Sequence, residues 1–125
     1  MRLLLDTHTL LWWLSDDASL SETARTSISA PDADVAVSAA SAWEIAIKRA
    51  LGKLAAPDDL ESQLSRHRFT PLGITVAHAL LAGSLPRHHD DPFDRMLVAQ
   101  ARMERMTLVT RDARIGLYGV PVLAA

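Results

Sequence analysis

The sequence predicts an α/β fold, a three-layer α/β/α sandwich built on a mainly parallel sheet. Three observations predict it. Short apolar runs at residues 2–5, 34–37 and 107–110 read as strands. Longer stretches with helical apolar spacing lie between them. Strand and helix therefore alternate, which implies right-handed crossovers and helices on both faces of the sheet.

The first run, RLLL, ends at Asp6 and reads as a buried first strand. Residues 7–14 look helical, and residues 19–30 form a second helix with Ser19 or Ser21 as its cap and Glu22 in its first turn. After the short strand at 34–37, residues 39–51 form a strong helix stopped by Gly52. Residues 52–58 are a loop, and Pro57-Asp58-Asp59 starts a helix that runs to about Arg66. Residues 69–74 are a weaker strand, interrupted by Pro71 and Gly73, and residues 76–83 are a short helix. Asp91-Pro92 opens the next helix, to about Arg105, because Asp caps well and Pro suits the first helical position. A strand at 107–110 and a last one at 120–123 complete the sheet.

At 125 residues the chain fits one domain, 1–125, with neither repeat nor linker. A hydrophobic content of 49% supplies a real core. There is no cysteine, so neither disulfides nor thiolate metal sites contribute, and the cytoplasm is the expected location. The expected chain has no secretory signal and no membrane span. The formal charge of −2 argues against a simple basic nucleic-acid coat. It leaves room for an RNA enzyme, since bound divalent metal reverses the sign of an acidic pocket. Of the basic residues 11 are Arg and 2 are Lys, which suits bidentate phosphate contacts.

Four acids stand where such folds bind ligands. Asp6 follows the first strand and Asp112 follows the 107–110 strand, so both fall at the carboxyl edge of a parallel sheet. Asp94 is in the first turn of its helix. Glu44 lies in the 39–51 helix, where Ser41, Glu44 and Lys48 make one narrow polar stripe on an otherwise apolar segment. Packed carboxylates repel one another unless a cation neutralises them. Hard divalent metals want oxygen donors, and such centres activate water and polarise phosphoryl groups. Each acid also has a second reading. Asp6 and Asp112 read as helix caps, Glu44 as an i,i+4 partner of Lys48, and Asp91 with Asp94 as a capping pair. Asp91 itself is read as a cap in preference to a ligand.

With these residues in view, the chain resembles the PIN-domain nucleases and, within them, the VapC-type toxins of bacterial toxin–antitoxin pairs. The segments LLLDTHTLLWWL, SAASAWEIAIKRALGKL, HHDDPFDRMLVAQA and LVTRDARIGLYGV carry the likeness, in the family's order. Residue by residue, the resemblance places Asp6, Glu44, Asp94 and Asp112 at the acidic metal positions. It gives Thr7 and Thr110 supporting hydrogen-bonding roles. It implies Mg²⁺-dependent RNA cleavage, with Mn²⁺ as the alternative ion, homodimerisation, and inhibition by a small partner antitoxin.

Other residues divide between site and scaffold. Arg95 and Arg111 adjoin two of the acids and are candidate contacts for an RNA phosphate or an antitoxin. Trp12 is a candidate partner anchor, Trp43 a core residue, and His8 a surface or core residue. His88-His89-Asp90-Asp91 suggests zinc, yet neighbouring loop residues do not make a closed tetrahedral site. Two rivals remain from other classes. A phosphoacceptor signalling domain also carries acids at strand ends, but it wants a Lys after the last core strand, and Lys48 and Lys53 both lie mid-chain. The other rival is a non-catalytic interaction module of the same fold.

Overall fold

The structure, a computed structural model, describes residues 1–125. Its elements are β1 (Arg2–Leu5), α1 (Thr7–Leu14), α2 (Glu22–Ser29), β2 (Asp34–Ser38), α3 (Ala39–Ala50), α4 (Leu60–Arg66), β3 (Thr70–Leu72), α5 (Val76–Ser84), α6 (Pro92–Glu104), β4 (Thr107–Thr110), α7 (Ala113–Gly116) and β5 (Val122–Ala124). All five strands are parallel, in the order β3-β2-β1-β4-β5. The anticipated α/β/α sandwich is therefore present.

The hydrophobic layers follow from the strand period of two. Leu3 and Leu5 point to one face of β1 and join Val35, Val37 and Val109 from neighbouring strands, with Leu10, Ala24 and Ile28 from α1 and α2. Leu4 points the other way and joins Ala36 and Leu108 beneath Ala82, Leu97, Val98 and Ala101 of α5 and α6. Strands buried on both faces read as continuous apolar runs, which is why RLLL has no alternation.

Local rules fix most element ends. Ser21 caps α2 by accepting the Ala24 N–H (3.0 Å). Gly52 takes a positive φ of 69° just after α3, a conformation glycine adopts without strain. Two expectations shift. The fourth helix starts at Leu60 rather than Pro57, and Asp59 precedes it without a side-chain cap bond. The last strand starts at Val122, since Pro121 has no N–H to give a ladder, although its carbonyl accepts from Leu108 N–H (2.9 Å). Pro71 is tolerated because β3 is an edge strand.

Trp43 is a correction. It was expected in the core, yet it is 63% exposed and meets only the edge of Phe93, at 5.5 Å between ring centroids. The reason is that the buried face of α3 carries Ser41 and Glu44 beside Ala40 and Ile45, which leaves Trp43 on the opposite side. Ile47 and Leu51 also face outward.

The strand order also positions the site. The chain leaves β1 towards β2 and β3 on one side, then returns to lay β4 and β5 on the other. Adjacent strands β1 and β4 therefore feed connections that diverge, and a crevice opens beyond their carboxyl ends. Leu5 pairs with Val109 in register, so Asp6 and Thr110 emerge side by side at that crevice.

Candidate active site

Four segments converge on the crevice. Asp6, Thr7 and His8 come from the start of α1, Glu44 and Lys48 from α3, His89, Asp91 and Asp94 from the entry to α6, and Arg111, Asp112 and Arg114 from the entry to α7. With Trp12 they line one open cleft of about 530 Å³. Trp12 is its single hydrophobic residue among twelve. Such a lining suits a polar, charged ligand rather than an apolar small molecule.

Each acid is held by a local bond whose origin is legible. Asp6 caps α1, its Oδ1 accepting the Thr9 N–H at 2.9 Å. Its Oδ2 accepts the Thr110 hydroxyl at 2.6 Å, and Thr110 Oγ1 in turn accepts the Asp112 N–H at 3.1 Å. Thr110 thus ties the first acid to the last. Glu44 is buried; its Oε1 accepts the Thr7 hydroxyl at 2.6 Å and its Oε2 meets Lys48 Nζ at 2.5 Å. Asp112 caps α7 through the Arg114 N–H (3.0 Å) and takes a two-pronged contact from the Arg114 guanidinium (3.2 and 3.0 Å). Asp91 caps α6, its Oδ1 accepting the N–H groups of Phe93 (2.8 Å) and Asp94 (3.1 Å). The capping and pairing readings therefore hold for Asp6, Glu44, Asp91 and Asp112, and the same side chains still line the cleft. A cap leaves part of a carboxylate facing outward, so the two readings do not compete.

Electrostatics separate two of these acids. Burial, with the charge of Asp91 next and smaller pushes from Asp6 and Glu44, raises the Asp94 carboxyl to about 7. The Arg114 guanidinium, helped by its N–H and by His89, holds Asp112 down at about 2 against burial. Neighbouring carboxyls thus differ in charge at neutral pH.

Three sequence expectations need comment. Arg95 does not reach the cleft. Its guanidinium is spent on main-chain carbonyls of Ala82 (2.8 Å), Leu85 (2.9 Å), Pro86 (3.0 Å) and His89 (3.3 Å), so it pins the α5–α6 loop. Arg111 does reach it, lying 4.4 Å above the Trp12 ring while its Nε donates to the Ala125 carbonyl (3.0 Å). His89 was not anticipated as a site residue. It is buried, with Nε2 2.8 Å from Asp112 Oδ2 and 3.1 Å from Asp94 Oδ2. Its signal in the sequence was the His88-His89-Asp90-Asp91 run, weighed there only as a zinc motif. His88 beside it points away and packs on the edge of Tyr118 (5.0 Å between centroids), and the loop's pairing of histidines with two more acids does not make the zinc site its composition suggests.

The donor set decides what the cleft fits. The four acids offer oxygen only. Asp94 is pushed towards its protonated form by burial and by neighbouring negative charge, the behaviour of carboxylates crowded with too little positive charge. A divalent cation that prefers oxygen donors answers both features.

Strand topology and acidic crevice together define a nuclease-like α/β architecture, and comparison with known proteins gives the family. Residues 3–120 match the model of the PIN domain. The chain belongs to the PIN-domain family. It is 36% identical over 122 residues to "Ribonuclease VapC22" of Mycobacterium tuberculosis (strain ATCC 25618 / H37Rv), covering 94% of this chain and 92% of that protein. Among solved structures, VapBC2 from Rickettsia felis bound to a promoter DNA fragment matches with a TM-score of 0.71 at 15% identity, covering 98% of each chain. A toxin–antitoxin complex from Klebsiella pneumoniae matches with a TM-score of 0.66 at 19% identity, covering 98% of this chain and 96% of that one. At those identities the structures establish the shared fold.

Proposed function

We propose that this chain is a metal-dependent endoribonuclease acting as the toxin of a toxin–antitoxin pair. The carrying observation is that Asp6, Glu44, Asp94 and Asp112, from four separate segments, line one cleft. Its weight comes from 36% identity to a protein named as a ribonuclease. The four acids would hold Mg²⁺ or Mn²⁺. Once bound, the cation supplies polarisation of the phosphoryl group and stabilises negative charge developing on its oxygens.

The chain's own residues do the rest. Thr7 and Thr110 aim Glu44 and Asp6 with short hydroxyl bonds. Asp94 Oδ1 accepts no hydrogen bond within the chain and is placed to take the proton of the attacking water. Arg111, braced on Trp12 at the rim with Nε and Nη2 given to the Ala125 and Ser19 carbonyls, has Nη1 left to offer an RNA phosphate. The test is RNA cleavage by purified protein in Mg²⁺ and in chelator. Asp6→Asn and Asp94→Asn should each lose on the order of a thousandfold in rate, several kcal/mol of barrier. Undiminished cleavage by both variants refutes the assignment.

Two partner proposals accompany this reading. A small antitoxin protein is the expected inhibitor, supported by the toxin–antitoxin complexes among the structural neighbours. A second copy of the chain is the expected occupant of the outward face of α3, where Trp43 (63%), Leu51 (62%) and Ile47 (37%) are exposed. Sedimentation should show a dimer that Trp43→Glu converts to monomer; a monomeric native chain refutes it. No helix is long and apolar enough to cross a membrane, and the cytoplasm, where its RNA and antitoxin would be met, is the proposed location.

A further inference from the structure

His89 belongs to none of the four acid positions, yet it is buried at the cleft's centre. Its two ring nitrogens face opposite chemistry. Nδ1 lies 3.1 Å from the main-chain N–H of Asp91, a donor, so Nδ1 must accept. Nε2 lies 2.8 Å from Asp112 Oδ2 and 3.1 Å from Asp94 Oδ2. A carboxylate accepts, so Nε2 must carry a proton. Turning the ring over would set Cδ2 against the Asp91 N–H and Cε1 against the Asp112 carboxylate, losing both bonds.

The backbone of His89 is fixed as well. Its N–H donates to Tyr118 Oη (2.9 Å), whose own hydroxyl donates to the Pro86 carbonyl (2.8 Å). The imidazole is thus held from both ends.

By distance alone, His89, Asp94 and Asp112 look like a mixed nitrogen–oxygen metal site, with one ligand atom from each inside a 4.8 Å span. The hydrogen bonding argues otherwise. A ligating histidine gives one nitrogen's lone pair to the metal and donates its other N–H to an acceptor. Here the other nitrogen faces a donor, and the nitrogen near the acids is protonated.

We propose that His89 is a positioning residue whose Nε2–H bonds Asp112, with Asp94 close beside it, and keeps the metal centre all-oxygen. It fixes the spacing of the two more exposed acids and withholds the nitrogen lone pair that would favour zinc or nickel over magnesium and manganese. The inference rests on the metal reading of the preceding section.

Two substitutions separate the two ends of the ring. His89→Gln carries an amide N–H to the place of Nε2. His89→Asn keeps an acceptor near Nδ1 but falls short of the carboxylates. In Mn²⁺ titration calorimetry, His89→Asn should bind 10–100-fold more weakly, the usual effect of losing a partner behind a metal ligand, and His89→Gln should stay within about threefold of the native chain. Nitrogen NMR of the native imidazole should show Nε2 protonated both with and without Mg²⁺. Native affinity in His89→Asn, equal loss in both variants, or Nε2 losing its proton to Mg²⁺ would each overturn the role of His89 while leaving the metal reading standing. A native chain that binds no Mn²⁺ would overturn the metal reading itself, and this inference with it. The NMR arm needs no variant, so a misfolded substitution leaves a decisive result.

Discussion

The cleft holds its acids in two different ways. On the α1 and α3 side, Asp6 and Glu44 are 8% and 5% exposed, and each accepts a neutral threonine hydroxyl at 2.6 Å. On the α6 and α7 side, the side chains of Asp94 and Asp112 are 23% and 25% exposed and lie 3.1 and 2.8 Å from His89 Nε2. A hydroxyl aims a carboxylate without cancelling its charge, so the inner pair retains a field, and Asp6 and Glu44 both push the Asp94 carboxyl upward. Asp112 escapes because Arg114 sits on it. One half supplies fixed direction and the other an adjustable charge. Lys48 is the inner half's own cation, placed on the far oxygen of Glu44.

This contrast breaks most sharply at Thr110. Thr110→Val removes a buried donor to Asp6 and the acceptor for Asp112 N–H at once. It should cost about 2–3 kcal/mol in denaturant unfolding, as expected for a bond to a charged group; a loss below 1 kcal/mol, on the same scale, would show that the hydroxyl link is incidental.

The next effect is smaller and has the opposite sign. The Asp94 carboxyl is raised from 3.8 to about 7 in the folded chain. Folding therefore disfavours its charged form, and metal-free stability should fall as pH rises between those values, then level off. The full shift corresponds to about 4 kcal/mol; with the side chain 23% exposed and partly screened, Asp94→Asn in chelator above neutral pH should be more stable than the native chain by roughly half that. Asp112 runs the other way. Its carboxyl is lowered to about 2, so its contribution is present above 3.8 and is lost as acid takes the pH down towards 2. A metal-free stability that does not change between pH 4 and 7 in the native chain, or an Asp94→Asn variant no more stable than it, would break the contrast.

The smallest effect belongs to Arg114, whose side chain is 61% exposed. Arg114→Met should leave stability nearly unchanged, because exposed ion pairs are screened. Its acid titration midpoint for Asp112, read by carboxyl NMR, should nevertheless rise towards the ordinary range.

How much of this could be read from the chain depends on what each residue reports. The buried run at Leu3–Leu5, the helix of residues 7–14 and the cap at Ser21 follow from local rules, and the sequence pattern carried them. The acids at strand ends were legible because parallel topology sends strand ends to one edge. Trp43 was not, because apolar residues lie on more than one side of α3, and the side that is buried carries Ser41 and Glu44 beside Ala40 and Ile45. Ser41, Glu44 and Lys48 carried that message as a stripe, but its direction needed the fold. Arg95 adjoins an acid in sequence yet turns to the α5–α6 loop, since chain neighbours on a helix point about 100° apart. His89 was legible only as part of the His88-His89-Asp90-Asp91 run; its bond to Asp112, 23 residues away, exists only in three dimensions.

The proposed function requires that four carboxylates from distant segments share one cation, and Glu44 tests it best because its bonds to Thr7 and Lys48 already account for its burial without a metal. Calorimetric titration of Mg²⁺ into the native chain and into Glu44→Gln should show binding that the substitution weakens at least about tenfold, the scale on which even a supporting partner acts. Equal affinity in the two proteins would place Glu44 outside the metal centre and contradict the account.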